Sequence, residues 1–566
     1  MIETDLLVVG SGAAGFSAAL AGSHAGLDVL MVEKEPQFGG TTCYSAGVIW
    51  IPGNRHGRAL GIADSAENAL AYLQAEAGNR LNRELADAFL GTCNEAVEFL
   101  ERETHVRYAA VPVWADYHPG KPGAAQGGRS LLPEPFDGRR LGRRFGELRP
   151  PLATMMAFGG MMLGRGDLPH IFNMTHSARS LAHVAGMVVR YAVDRVSHKR
   201  GTRLANGNAL IAAMALSAQE RGIELKLECP VVELTTDGGR VTGAIVSDHG
   251  TRREIRTRRG VVLACGGFPA NGELRERYYG HVRAGAQHRS APPAGNVGDG
   301  IRLGESAGGA LAEDVAYAAA WTPMSLVPQP GGGTLPFPHF VDRGKPGFIA
   351  ISPTGQRFTN EAASYHDFVP AMIEVCRGAA QTFCWLLCDR RAIRRYGMGA
   401  IGPAPMPLGG HLRSGYLIEG RSWSELAGKL GIDPETLVAT FERFNGSAVQ
   451  GKDPDFGKGT DAYHRFNGDP NHGPNPCLAP LVDGPFYAMK LVPGDIGTFL
   501  GLSVDGQARV LDRARKPIAG LYAAGNDMTS VMGGTYPGAG ITIGPALTFG
   551  YIAARHAASG RDGSSD

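Results

Sequence analysis

The stretch "DLLVVGSGAAGFSAALAGSHAGLDVLMVEKE", residues 5–35, constrains the fold more than any other part of this 566-residue chain. Leu6 to Val9 form a continuous apolar run, as suits a parallel strand covered on both faces. Gly10-Ser11-Gly12-Ala13-Ala14-Gly15 is a G-x-G-x-x-G turn. Small residues at helical spacing follow, and "LDVLMVE" reads as a second strand ending at Glu33. In such a unit Gly10 permits the tight turn, Gly12 lets backbone approach a pyrophosphate, and Gly15 allows close helix packing. Glu33 stands where an acid receives ribose hydroxyls. The expectation is an α/β fold that binds a dinucleotide.

The residues after Glu33 bear on which dinucleotide. A simple NAD domain would usually continue into another helix. Here "EKEPQFGGTTCYSAGVIW" places a second Gly-rich loop, Gly39-Gly40-Thr41-Thr42, directly after the acid, where backbone and hydroxyls could line an extended cofactor. Far downstream, "GVVLACGGF" (260–268) reads as a strand ending in Gly266-Gly267. "PIAGLYAAGND" (517–527) reads as another, ending in Gly525-Asn526-Asp527. This set of returning segments, over about 1–310 and 485–555, resembles the flavoprotein family of fumarate reductases and 3-ketosteroid dehydrogenases.

The resemblance implies a Rossmann-type FAD-binding domain built from both chain ends, 1–308 and 488–566, with an inserted α+β substrate (cap) domain, 309–487. By it, FAD would be held at Gly10, Gly12, Ala13, Ala14, Gly15, Glu33, Lys34, Gly40, Thr41, Thr42, Ser45 and Gly47. Further contacts would come from Val232 near the adenine, Gly266, Asp299, Gly525, Asn526, Gly544, Ala546 and Leu547. Covalent members of the wider family use a His near the second Gly-rich loop; "GGTTCYSAG" has none, so FAD is expected to be non-covalent. With one convincing dinucleotide fingerprint, electrons are expected to leave to a quinone-like or dye acceptor rather than NAD(P)H.

Composition narrows the partners. A chain this long exceeds one hydrophobic core, so two domains are expected, possibly interleaved. With 43% hydrophobic and 19% charged residues it reads as soluble. The 56 basic and 54 acidic residues nearly cancel, which argues against nucleic acid. The eight cysteines have no C-x-x-C spacing, which fits a reducing cytoplasm, and no metal site is expected. "CWLLC" (384–388) reads as a buried strand. "MIETDLLVVG" lacks a basic leader, and no apolar run reaches spanning length, so membrane contact is at most peripheral. "PPLATMMAFGGMMLG" (150–164) reads as a buried or cleft-lining helix, and residues 140–195 as a helical addition. "PQPGGGTLPFP" and "NGDPNHGPNPCLAPLVDGPF" read as loops and domain crossings.

The chemistry is carried by "GGTYPGAGITIGPALTFGY" (533–551). Fumarate reduction needs cationic clamps for two carboxylates, and that branch carries an Arg in the matching loop. Here no charge occurs between Asp527 and Arg555, so the site reads as built for a neutral substrate. The segment instead resembles the 3-ketosteroid Δ1-dehydrogenase signature, Tyr-Pro-Gly-x-Gly before the last helix. By that resemblance Tyr536 and the Gly540 N–H would bond a ketone oxygen and stabilise the charge that grows there as the α-proton leaves. "GQRFTNEAASYHDF" (355–368) resembles the family's F-x-N-E-x-x-x-Y segment and places Tyr365 as the base, and Tyr117 in "VWADYHPGKPG" as its partner hydroxyl. A tyrosine base needs its hydroxyl pKa lowered by positive charge or such a partner. His118 and His366 read as supporting residues, and Trp114 or Tyr191 as pocket wall. The expected activity is FAD-dependent desaturation of a small hydrophobic ring ketone of 3-ketosteroid type. The alternatives are a smaller cyclic ketone, a fumarate- or urocanate-type reductase, and a non-catalytic electron relay.

Overall fold

A computed structural model describes residues 2–560. Its centre is a sheet in which Ile2–Val9 lies between Thr251–Leu263 and Val29–Val32, all parallel. Glu224–Lys226 extends the sheet beyond Val29–Val32, and Pro517–Ala523 extends it on the other side, both in parallel. Arg509–Leu511 closes that edge antiparallel. Leu7 pairs with Leu30 on one side and Val261 on the other, and all three are buried. The strand at 260–268 is longer than its apolar tail suggested. It begins at Thr251, and its first half pairs with Arg240–Asp248 as a polar antiparallel extension.

Two helices cover this sheet side by side. Ala13–His24 follows the first strand, and the chain's last helix, Ile543–Ser559, packs along it. Their approach is close because small residues face each other. A Cβ on Gly550 would stand 2.4 Å from the Ala14 carbonyl, and Ser17 Oγ donates to the Leu547 carbonyl at 2.6 Å. The two chain ends are thereby held together over one sheet.

The middle of the chain forms a second, antiparallel sheet in the order Phe348–Ile351, Cys384–Asp389, Phe486–Leu491, Ile418–Gly420. Alternation sorts its side chains. Phe348, Ala350, Leu386 and Cys388 pack on one face, and Ile349, Ile351 and Leu387 on the other. The "CWLLC" stretch is thus a central strand, with its thiols buried. The strand Phe486–Leu491 carries the chain through the 487/488 boundary drawn from sequence, so it leaves this sheet only after Leu491.

Two segments differ from expectation. "PQPGGGTLPFP" is largely a β-hairpin: Met324–Pro328 pairs with Thr334–Pro338 around a Gly-rich turn. Proline is tolerated in this two-stranded ribbon because one side of each strand needs no donor. Residues 150–164 are not a helix. They make a short 3₁₀ turn, Ala153–Met155, and a bridge between Ala157 and Met161. Pro150, Pro151 and the glycines interrupt helical propagation there. The rest of the 140–195 addition does contain helices, Leu168–Asn173 and Ala178–Ser197. Among the described residues no helix is long and apolar enough to cross a membrane.

Candidate functional site

A cleft opens at the carboxyl ends of the parallel strands. The G-x-G-x-x-G turn forms its floor. Gly10, with φ +107°, turns the chain where any Cβ would strike the Ala264 carbonyl at 2.2 Å. A Cβ on Gly12 would meet nothing closer than 3.8 Å and would occupy cleft space instead. The helix Ala13–His24 starts here at Gly12, which has no side chain to cap it, so beyond the Ala13 N–H its first turn presents N–H donors to an anion. Opposite, Thr42 Oγ1 accepts from Ala13 N–H at 3.1 Å, and Ser11 N–H and Oγ both donate to the Glu33 carboxylate. Lys34 pairs with Asp299 at 2.5 Å, linking the second strand to the helix Asp299–Ser306.

Gly10, Gly12, Ala13, Ala14, Glu33, Lys34, Gly40, Thr41, Thr42, Ser45, Gly266, Asp299, Gly525, Asn526 and Ala546 all line this cleft. Five residues expected there stand behind it. Gly15 packs on the Gly10 carbonyl, Gly47 on Asn206 and Gly207, Gly544 on Trp50, and Leu547 in the helix contact described above. Val231 lines the cleft while Val232 turns its carbonyl to Arg302, because neighbours in a strand point to opposite faces. Asn296, Thr542 and Ile543 line the cleft without having been anticipated. Asn296 bridges Thr41 Oγ1 at 2.8 Å and the Gly266 carbonyl at 3.1 Å. An asparagine in a loop far from the fingerprint gives no sequence signal for this role. The helix N-terminus, the acid at the strand end and a lining that runs from Pro230-Val231 to Thr542-Ile543 fit FAD.

A smaller pocket shares Gly525, Asn526, Thr542 and Ala546 with the cleft. Its wall residue Phe499 lies 6.0 Å from the ring of Tyr536. Tyr536 is the edge of a buried aromatic cluster. Its ring stacks on Tyr117 at 5.4 Å and meets Tyr365 edge-on at 5.1 Å. Tyr117 Oη donates to Tyr365 Oη at 3.0 Å. Residues about 170 to 420 positions apart therefore meet, and the backbone explains how. Tyr117 N–H donates to the Pro537 carbonyl at 2.8 Å, and Tyr72 Oη to the same oxygen at 2.7 Å. Ser130 Oγ takes the Ala539 carbonyl, and Trp50 N–H the Gly540 carbonyl. With its carbonyls occupied the loop is fixed, yet the Gly540 N–H itself donates to no group among the described residues. At φ +97°, with any Cβ 2.5 Å from the Ile49 carbonyl carbon, only glycine fits there.

Tyr365 is set by its own segment. Ser364 caps the helix Tyr365–Val375, and Glu361 just before it is fully buried, bonded to Arg357, Lys458 and the Ala350 N–H. His118 bridges Glu76 and Asp367, both at 2.8 Å; burial opposes its charge, but the Asp367 and Glu76 hydrogen bonds raise its pKa to about 10. His366 accepts from Trp321 N–H, and burial holds its pKa down to about 4, so its ring is neutral. The lowered hydroxyl pKa expected for the base is not present. Burial pushes Tyr365 and Tyr117 well above the ordinary tyrosine value, and Tyr536 up to about 12. The partner hydroxyl expected for Tyr365 is in place. Tyr191 does not reach the cluster; its hydroxyl donates to the Phe158 carbonyl in the helical addition. Tyr463, which sequence reading missed, packs against Tyr117 with the rings tilted by 40° and their centres 4.4 Å apart.

Residues 5–543 match the family model described as FAD binding domain. The chain is 42% identical to 4-oxocyclohex-2-ene-1-carboxylate 5-dehydrogenase of Sinomonas cyclohexanicum, over 98% of this chain and 94% of that one. It is 36% identical to 3-oxosteroid 1-dehydrogenase of Mycolicibacterium smegmatis, over 98% and 96%. The crystal structure of 3-ketosteroid delta1-dehydrogenase from Sterolibacterium denitrificans, in complex with 1,4-androstadiene-3,17-dione, superposes with a TM-score of 0.90 at 35% identity. That match covers 99% of this chain and 100% of the other. The chain is a 3-ketosteroid Δ1-dehydrogenase-like member of the FAD-binding flavoprotein family. Membership makes this dehydrogenase-like flavoprotein an FAD-dependent oxidoreductase.

Proposed function

We propose that this flavoprotein desaturates a ring ketone, placing a C=C bond next to the carbonyl. The observation that carries the reading is the hydroxyl pair Tyr117–Tyr365 packed against Tyr536, beside the undonated N–H of Gly540. Tyr536 Oη and Gly540 N–H hold the ketone oxygen and stabilise the negative charge that develops on it. Tyr365 Oη, as phenolate, takes the α-proton, and the hydrogen bond from Tyr117 stabilises that phenolate. FAD, when bound, supplies the acceptor for the hydride leaving the neighbouring ring carbon. Residues 309–487 act as the cap that closes over this reaction, and the electrons then leave to a quinone-like acceptor.

The test is anaerobic mixing of the yellow holoenzyme with a 3-ketosteroid and, separately, with a 4-substituted cyclohexanone. Flavin absorbance should bleach with at least one of them. A protein that stays yellow with both, yet is reduced by dithionite, is not a ring-ketone desaturase.

The cofactor is held without a covalent bond in this reading. Cys229 and Cys265 both border the cleft, but burial pushes the first thiol up to about 11 and the second well above its ordinary value. Neither offers an appreciable thiolate. Acid precipitation should leave the yellow colour in the supernatant; a yellow pellet would show covalent attachment.

A further inference from the structure

The guanidinium of Arg165 lies over two aromatic rings, with Cζ 3.9 Å from the Trp114 ring centre and 4.2 Å from that of Phe466. It forms no ion pair or hydrogen bond with a carboxylate among the described residues. The acid nearest in sequence, Asp167, is already engaged by Arg203, His183 and the Gly164 N–H. Burial brings Arg165 down to about 10, which leaves it charged at neutral pH.

This cation stands at one edge of the tyrosine cluster. Phe466 and Tyr463 share a face of the helix Ala462–Asn467, being three residues apart. Trp114 lies three residues before Tyr117, and Tyr117 and Tyr463 are the groups on which the Arg165 charge acts. Trp114 is buried, and its Nε1, in the ring that the guanidinium covers, has no hydrogen-bond partner. A half-buried cation without an anion and a buried donor without its acceptor therefore occupy one place. Each is costly alone, and one ligand carboxylate would satisfy both.

We propose that Arg165, with Trp114 Nε1, anchors a carboxylate carried on the ketone substrate. This rests on the ring-ketone reading and selects within it: the substrate is a cyclohexanone or cyclohexenone bearing a carboxylate away from the ketone, with the ketone at Tyr536 and the carboxylate at Arg165. The C-terminal glycine loop carries no charge, and the cation is delivered from a segment far from it in sequence.

The experiment is calorimetric titration of dithionite-reduced holoenzyme, which cannot turn over, with 4-oxocyclohexane-1-carboxylate and with its methyl ester. The wild type should bind the acid about 10- to 100-fold more tightly than the ester, as a charge-assisted contact gives. Arg165→Met should abolish that preference while keeping ester affinity, Arg165→Lys should keep part of it, and Trp114→Phe should reduce it. Equal wild-type affinity for acid and ester overturns the anchor and leaves the ring-ketone reading intact. Equal weakening of acid and ester in Arg165→Met makes Arg165 a packing residue and also overturns it. If neither ligand binds, and no ketone bleaches the oxidised enzyme, the ring-ketone reading fails and the anchor fails with it. The acid-to-ester comparison needs no variant, so it holds even if a substitution impairs folding.

Discussion

Tyr365→Phe is expected to bind a ring ketone nearly as well as the wild type and to lose flavin reduction, by roughly 10³-fold, the scale of a general base. The Tyr365 hydroxyl meets Tyr117 at 3.0 Å and is buried against Tyr536, so its loss removes a proton acceptor without removing the ring that packs the site. Tyr536→Phe should behave differently. A ground-state ketone already uses that hydrogen bond, so binding and reduction both weaken, with Gly540 N–H left as the remaining donor. Stopped-flow flavin reduction and equilibrium ketone binding separate the two outcomes. Because burial holds the Tyr365 hydroxyl above its ordinary value, the phenolate fraction grows as solution becomes alkaline. Wild-type reduction should therefore accelerate with rising pH, and this dependence should vanish in Tyr365→Phe. Normal reduction by Tyr365→Phe would remove Tyr365 as the base and turn attention to Tyr117 and His366.

Arg129→Met is expected to cost about 3–5 kcal/mol of stability, the usual result of stripping one partner from a buried ion set. Arg129 is 1% exposed and spans two acids, bonding Asp64 and Asp116 at 2.7 Å each. Asp116 is itself buried; burial lifts its pKa to about 6 against the pull of Arg129, and it also accepts from Trp50 Nε1 at 2.8 Å. This set fixes the loop that ends in Tyr117 and the Trp50 ring beneath Gly538. Without the guanidinium, Asp116 must protonate or remain an unpaired charge. Urea unfolding of the holoenzyme should show a lowered midpoint, and adding Asp116→Asn should restore part of the loss. An unchanged midpoint would mean that the acids find other partners. The same substitution should slow flavin reduction, since Tyr117 is carried by the disturbed loop.

How much of this was legible in the sequence follows from how local each interaction is. The turn at Gly10 to Gly15 joins a strand and a helix adjacent in the chain, so spacing and residue type specify it. Leu6 to Val9 and Val29 to Val32 likewise follow from apolar runs beside that turn. "TYPGAG" was conspicuous because tyrosine and closely spaced glycines rarely share a turn without a purpose. The hairpin at Met324–Pro338 was misread because its prolines and glycines mark turns equally well, and only strand pairing decides between hairpin and loop. The helix expected at 150–164 failed because its apolar residues suggested burial, while its prolines and glycines governed the backbone. Gly15 and Leu547 belong to the fingerprint and the last helix, but sequence could not say whether they face the cofactor or the packing behind it.

What the sequence determined by itself is the set of chemical parts: a dinucleotide turn, an acid at a strand end, and three tyrosines in recognisable settings. Only the tertiary structure decided their company. Tyr463 against Tyr117, Asn296 across the cleft, Arg165 between Trp114 and Phe466, and the Arg129 ion set join residues tens to hundreds of positions apart. No local spacing encodes such contacts. They arise when strands from both chain ends join one sheet through Thr251–Leu263 and the middle of the chain packs against them. Burial then turns ordinary side chains into an unbonded N–H and hydroxyls with raised pKa values, because the low-dielectric interior makes each polar group depend on its nearest partner.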